Sequence, residues 1–308
     1  MSKILVTGGA GFIGSHVVDA YVAAGHSVAV VDNLITGARA NLNPAARFYE
    51  VDVRSPGLAH IFAEEKPEYV NHLAAQIDVR RSVTEPLFDA EVNILGGINL
   101  LELSVKHEVK KFLFASTGGA IYGEPAELPA SELCPPNPKC HYAASKLAFE
   151  HYLRLYHALY ELPYTILRFP NVYGPRQSPE GEAGVCSILI GLMLRDRPPT
   201  LYGYGTPLRD YVYVGDIARG NVLALDQGEN ETINLGSGKG TSVQELFDTL
   251  RRIMDFAGEP RLEPIRPGEV QSTYITGDLA EELLGWRPEV DLETGLRNTV
   301  AHIRGTLP

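Results

Sequence analysis

The segment Thr7-Gly8-Gly9-Ala10-Gly11-Phe12-Ile13-Gly14 constrains this chain more than any other. It joins an apolar, β-branched run, residues 3–7, to a stretch of helical spacing, residues 12–24, that ends at Gly25. Glycines at 8, 11 and 14 read GxxGxxG, and those at 9, 11 and 14 read GxGxxG. A strand that turns straight into a helix needs positive φ at the turn. It also lets backbone approach a pyrophosphate and aims a helix N-terminus at the negative charge. Asp32 ends the next apolar run, 27–31, at 18 residues beyond Gly14. A carboxylate there accepts hydrogen bonds from both adenosine ribose hydroxyls and repels a 2′-phosphate, which favours NAD over NADP. Asp52, after a third run, is a candidate for the adenine amino group; a solvated turn carboxylate is its alternative.

Similar runs recur at 48–53, 69–73, 111–115 and 164–168, with helical stretches between them, notably 88–106 and 145–160. Strand and helix in alternation predict an α/β chain. Its first unit, residues 1–170, is expected to be a Rossmann-type doubly wound parallel sheet with right-handed crossovers. Beyond residue 170 the texture changes. Pro170, Pro175, Pro179, Pro198, Pro199 and Pro207 separate short strands (211–214, 232–235, 272–276) and helices (185–194, 243–254, 292–302). Residues 171–308 are read as a smaller substrate-binding lobe, with strands such as 211–214 returning to the first unit.

Composition narrows the function classes. A net charge of −11 argues against non-specific nucleic-acid binding. No apolar run reaches the ~18 residues of a membrane span. Residues 1–14 lack signal-peptide layout, and three cysteines are too few for a disulfide framework, so a reduced cytoplasmic chain is expected. Cys134, Cys140 and His141 do not match a zinc spacing, and no metal is expected.

A second constellation carries chemistry. Tyr142 and Lys146 stand at i and i+4, one face of a helix. An ammonium there favours the phenolate, and a phenol so tuned can exchange a proton with a sugar hydroxyl. A plain surface Tyr/Lys pair is the alternative. Upstream, the run 111–115 leads into Ser116-Thr117-Gly118-Gly119, hydroxyls at the carboxyl end of a parallel strand and so over the ligand crevice.

These motifs, with TGGAGFIGSH (7–16), VDNL (31–34), NHLAAQ (71–76), STGGAIYGE (116–124), YAASK (142–146), LRFPNVYGPRQ (167–177), RDYVYVGDIA (209–218) and INLGSGKGTSV (233–243), resemble the extended short-chain dehydrogenase/reductases over nearly the whole length. Within them the chain resembles the 4-epimerases of UDP-hexoses. The resemblance implies that Gly8, Gly11, Phe12, Ile13, Asp32, Asn33, Asp52, Val53, Leu73, Ala74, Ala75, Asn93, Tyr142, Lys146 and Pro170 line an NAD site. Tyr142 would be the acid/base and Lys146 its tuning partner. Asn171, Arg209 and Arg266 would hold the substrate diphosphate, Glu269 the uridine ribose, and residues 201–204, Tyr202 among them, the uracil. Surface ion pairs are the alternative for the two arginines. It also implies a homodimer, the helices at 88–106 and 145–160 pairing across a two-fold axis through faces that include Leu95, Ile98 and Leu101, and Leu147, Leu153 and Leu159. Internal core is the alternative for those faces.

Two departures inform the substrate. Many of these epimerases carry serine where this chain has Gly118, so Thr117 becomes the candidate for the hydroxyl on the reacting sugar oxygen, with Ser116 in reserve. The related dehydratases carry an acid just after the turn threonine; Gly118-Gly119 supplies none, which argues for epimerisation over elimination. Thr273 stands where some relatives have tyrosine, leaving room for an N-acetyl group. Remaining alternatives are a UDP-glucuronate epimerase using Arg80, Arg81 or Arg176, a net oxidoreductase, and a non-catalytic NAD sensor.

Overall fold

In the computed structural model, which describes residues 1–180, 184–266 and 270–306, the apolar runs form the strands of a sheet covered on both faces. The first half of the chain contains β1 (Lys3–Thr7), α1 (Phe12–Ala23), β2 (Ser27–Asp32), β3 (Arg47–Glu50), α2 (Leu58–Glu65), β4 (Tyr69–His72), α3 (Val79–Thr84), α4 (Pro86–Ala90), α5 (Gly96–Lys106), β5 (Lys111–Thr117), α6 (His141–Tyr160) and β6 (Tyr164–Phe169). The second contains β7 (Asn171–Tyr173), α7 (Val185–Met193), β8 (Thr200–Tyr202), β9 (Leu208–Arg209), β10 (Tyr211–Tyr213), α8 (Val214–Leu223), β11 (Glu231–Asn234), β12 (Thr241–Ser242), α9 (Val243–Met254), β13 (Arg261–Glu263), β14 (Ser272–Thr273), α10 (Asp278–Leu284) and α11 (Leu292–Thr306).

Seven parallel strands lie in the order β11-β6-β5-β4-β1-β2-β3. The order reverses between β1 and β4, and a crevice opens outside the carboxyl ends at such a switch point. On one face, Val17 and Tyr21 of α1 pack with Ile217 of α8, Leu284 of α10 and Trp286. On the other, α2, α5 and α6 bury Phe62, Leu100, Phe149 and Leu153. A third cluster, Ile190, Phe247 and Leu296 with Tyr173 and Tyr211, gathers residues from the second half of the chain.

Three expectations change in detail. The later strand that joins the main sheet is β11, whose Ile233 is fully buried against β6; residues 211–213 pair instead with β7 in a small separate sheet. The helix expected at 88–106 is split: α4 starts with Pro86, and a π-helical turn at Glu91–Leu95 precedes α5. Such turns replace i→i+4 hydrogen bonds by i→i+5 ones and occur mostly as single turns inside α-helices. Finally, α6 begins at His141 rather than 145, which puts Tyr142 in its first turn. Gly97 permits the close approach of α5 to α6, since a Cβ there would fall 2.3 Å from the Phe149 ring.

Candidate active site

Along the carboxyl ends of β1, β2, β4 and β5 runs a cleft of about 320 Å³. Its walls include Gly8, Gly11, Phe12, Ile13, Asp32, Asn33, Val53, Leu73, Ala74, Ala75, Ser116, Thr117, Tyr142, Lys146 and Pro170. A second cavity of about 390 Å³ shares Phe12, Asn33 and Ala75 and adds Asp52. Thr36, Phe169, Val172 and Gln177, which sequence reasoning did not single out, complete the first wall.

The glycine turn is built for close approach. Gly8 has φ +73, and a Cβ on it would fall 2.7 Å from the Ala74 amide nitrogen. At Gly14 a Cβ would stand 2.0 Å from the Gly8 carbonyl, so α1 packs directly against the turn. Gly11 caps α1 without any side-chain hydrogen bond, leaving first-turn amides to an anion.

Asp32 is held in place. Its Oδ2 accepts from the Ala10 amide at 3.0 Å and its Oδ1 from the Leu34 amide at 2.8 Å, leaving lone pairs for two hydroxyls. Asp52 accepts from Asn33 Nδ2 at 2.9 Å and from Arg54 through Nε at 2.8 Å and Nη2 at 3.0 Å. The Arg54 fork holds the Asp52 carboxyl down at about 2. Only the short Asp-Val-Arg spacing at 52–54 could have pointed to Arg54.

On α6, Lys146 Nζ donates to the Ala115 carbonyl at 2.9 Å and lies 6.0 Å from the centre of the Tyr142 ring. Burial pushes this ammonium down to about 7, against the pull of the Asp89 and Glu150 carboxylates. Burial pushes the Tyr142 phenol up, Cys140 and Asp89 add to that, and the Thr117 hydroxyl draws it back. The two candidate hydroxyls part company here. Ser116 Oγ donates to Glu150 Oε1 at 2.6 Å, while Thr117 faces Tyr142. Glu150 in turn receives Arg168 through Nε at 2.9 Å and Nη2 at 2.7 Å, and Arg168 Nη1 donates to the Tyr122 hydroxyl at 2.7 Å. A Cβ at Gly118 would meet Ile275 Cδ1 at 2.3 Å, so a side chain there would require Ile275 to shift.

The remaining candidates lie off these walls. Asn93, in the π turn, is 2% exposed and lines neither cavity; its amide joins Gln76, Asp89 and Ser145. Asn171 Oδ1 lies against Gly119, where a Cβ would be 3.2 Å away. Arg209 donates to the carbonyls of Leu208, Val270 and Gln271. Buried Thr273 is its register partner across β14 and β9. The Arg266 guanidinium stacks on the Tyr202 ring at 3.6 Å. Glu269 lies outside the described residues. Among the described residues there is no cluster of His, Cys, Asp and Glu fit for a metal, and no helix long and apolar enough to cross a membrane.

Comparison with known proteins extends this geometry. Residues 4–236 match the model of the NAD dependent epimerase/dehydratase family. A UDP-glucose 4-epimerase of Mycolicibacterium smegmatis is 41% identical over 308 residues, 98% of each chain. The structure of a Thermotoga maritima UDP-glucose 4-epimerase with UDP-glucose has a TM-score of 0.97 at 49% identity, covering 99% of this chain and 100% of that one. A Thermus thermophilus UDP-glucose 4-epimerase in complex with NAD gives 0.93 at 47% identity, with the same coverage. The cleft of this chain fits NAD on its own terms: an uncapped helix start over a turn that a Cβ would fill, and a fixed carboxylate at the end of β2. With matches of this extent behind that geometry, the chain belongs to the NAD dependent epimerase/dehydratase family and NAD is its cofactor.

Proposed function

We propose that this enzyme interconverts the C4 epimers of UDP-hexoses, UDP-galactose and UDP-glucose first, through transient oxidation at C4. One observation carries the reading. Tyr142 and Lys146 line the cleft with Thr117 at the end of β5, and the two residues that follow, Gly118-Gly119, offer no acid to a leaving hydroxyl. Bound along the cleft, NAD supplies a hydride acceptor and donor for C4. Tyr142, as phenolate, takes the O4 proton and later returns it; the Lys146 charge favours that phenolate. Thr117 hydrogen-bonds the reacting oxygen, since Ser116 is committed to Glu150.

Epimerisation at one carbon needs the sugar to turn over while its nucleotide stays fixed, so binding must reside in the anchor. Asn171, Arg209 and Arg266 are assigned to the diphosphate, Glu269 to the uridine ribose and Tyr202 to the uracil. A guanidinium fork suits phosphate oxygens. Thr273 leaves space beside the 2-substituent, which extends the substrate class to UDP-N-acetylhexosamines. The glucuronate reading is weaker: Arg81 is paired with Glu85 and Arg176 with Asp19. We also assign a homodimer. Leu101 and Leu153 face the internal core, whereas Leu87, Leu95, Leu155 and Leu159 remain exposed as its contact face. Purified protein, without added NAD, is to be given UDP-galactose, UDP-GlcNAc and UDP-glucuronate separately, with products followed by NMR. The reading requires the 4-epimer of the first and no accumulation of NADH. Turnover of glucuronate alone would reassign the substrate, and turnover of none would sink the reading.

A further inference from the structure

A buried carboxylate lies beneath the first turn of α6. Asp89, in α4, is 1% exposed, and its Oδ1 accepts from Gln76 Nε2 and Asn93 Nδ2, both at 3.1 Å. Asn93 Nδ2 also reaches Ser145 Oγ at 3.2 Å, and Ser145 Oγ donates to the Tyr142 carbonyl at 2.9 Å. The carboxylate is thus tied to the very turn that carries the catalytic pair. Its hydrogen-bond partners among the described residues are neutral amides. A buried charge so placed is unfavourable unless an opposite charge shares its surroundings. Glu150, one turn beyond Lys146, is in a different position, because Arg168 at 2.7 Å and Arg154 at 3.3 Å match its charge.

We propose that Asp89 is a positioning residue whose unmatched negative charge serves as the electrostatic partner of Lys146 and sets the pH window in which Tyr142 handles protons. The inference rests on Tyr142 and Lys146 being the proton-handling pair.

Every charged or titratable group around the pair fits this account. Lys146 faces Asp89 from α4, Glu150 and Tyr142 from its own helix, and His72 from β4. Burial, with Lys146 nearby, holds His72 down at about 3, so it contributes no charge near neutrality. Arg168 of β6 is engaged with Glu150. Tyr142 faces Cys140, Asp89 and Thr117. Asp89 opposes the effect of burial on Lys146, and it disfavours the Tyr142 phenolate. Loss of its charge therefore lowers the pH at which each of the two groups gives up its proton. The limb of the rate profile set by ionisation of Tyr142 and the limb set by deprotonation of Lys146 both move toward lower pH.

The test uses the NAD-loaded enzyme with Asp89→Asn, which keeps the size of the side chain, and Asp89→Glu, which keeps the charge. Two readouts are taken. One is the pH profile of kcat. The other needs no substrate: ultraviolet titration of tyrosinate, as the difference from Tyr142→Phe. The expected result is a shift of both limbs, and of the tyrosinate midpoint, to lower pH by about one unit in Asp89→Asn, with both restored in Asp89→Glu. A uniform loss of rate with unmoved limbs and midpoint would overturn the proposal, as would a shift in Asp89→Glu equal to that of Asp89→Asn. Should no UDP-hexose turn over, the substrate reading fails while the tyrosinate titration still decides for or against Asp89.

Discussion

Glu150→Gln probes the buried network behind Ser116. The wild-type carboxylate is fully buried, accepts both Arg168 bonds and the Ser116 hydroxyl, and meets Arg154 at 3.3 Å. Glutamine keeps one oxygen but replaces the other with an N–H₂ that faces guanidinium donors. Arg168 is left as a buried, unpaired cation. Breaking a buried pair from one side costs about 3–5 kcal/mol; the retained oxygen places this variant near the lower end. A chain of this size loses about 2 °C in Tm per kcal/mol, so a fall of about 6 °C follows. Calorimetry at saturating NAD and urea unfolding should agree on it. Glu150→Gln combined with Arg168→Met removes both charges and should recover most of the loss, because a buried pair is worth little net against apolar neighbours. A loss below about 1 kcal/mol for the single variant, in a site built as described, would refute the reasoning. So would a double variant less stable than the single.

Other expectations follow from the same geometry. Tyr142→Phe should lower kcat by about 10²–10⁴-fold with NAD content of the purified protein unchanged, read by release of the nucleotide on denaturation. Thr117→Val should lower kcat by about 10–100-fold, the worth of a hydrogen bond to a charged oxygen. Ser116→Ala should instead lower stability by about 1–2 kcal/mol with kcat nearly intact; paired kinetic and melting measurements separate the two. In Gly8→Ala the methyl group must enter the space of the Ala74 amide at positive φ. Purified Gly8→Ala should carry little NAD and melt lower, and full NAD occupancy would contradict the close-approach argument.

Much of the first half of the chain is legible in its sequence. β1, β2, β5 and β6 are continuous apolar or β-branched runs, as strands buried on both faces must be. The glycine turn and Asp32 declare themselves because phosphate and ribose impose fixed spacings. β11 is legible as a short strand but not as part of this sheet: Glu231-Thr232-Ile233-Asn234 has one large apolar residue, and its place beside β6 is decided by pairing across more than sixty residues of chain. Asp89 and Gln177 escape sequence reading because each acquires its setting from other segments folded against it, whereas Arg54 pairs with Asp52 only two residues away. The choice between Thr117 and Ser116 depends on Glu150, a residue 34 positions from Ser116. Asn93, placed in the cofactor wall by resemblance, lies in the π turn and spends its amide on Asp89 and Ser145.

Transient oxidation at C4, with the cofactor retained, is the central claim. Its most direct test is turnover of UDP-galactose deuterated at C4 by the purified protein in ordinary water, with the product read by NMR and mass spectrometry. The account predicts UDP-glucose that keeps its deuterium at C4. Product formed with the label lost to solvent, or no epimer at all, would contradict it.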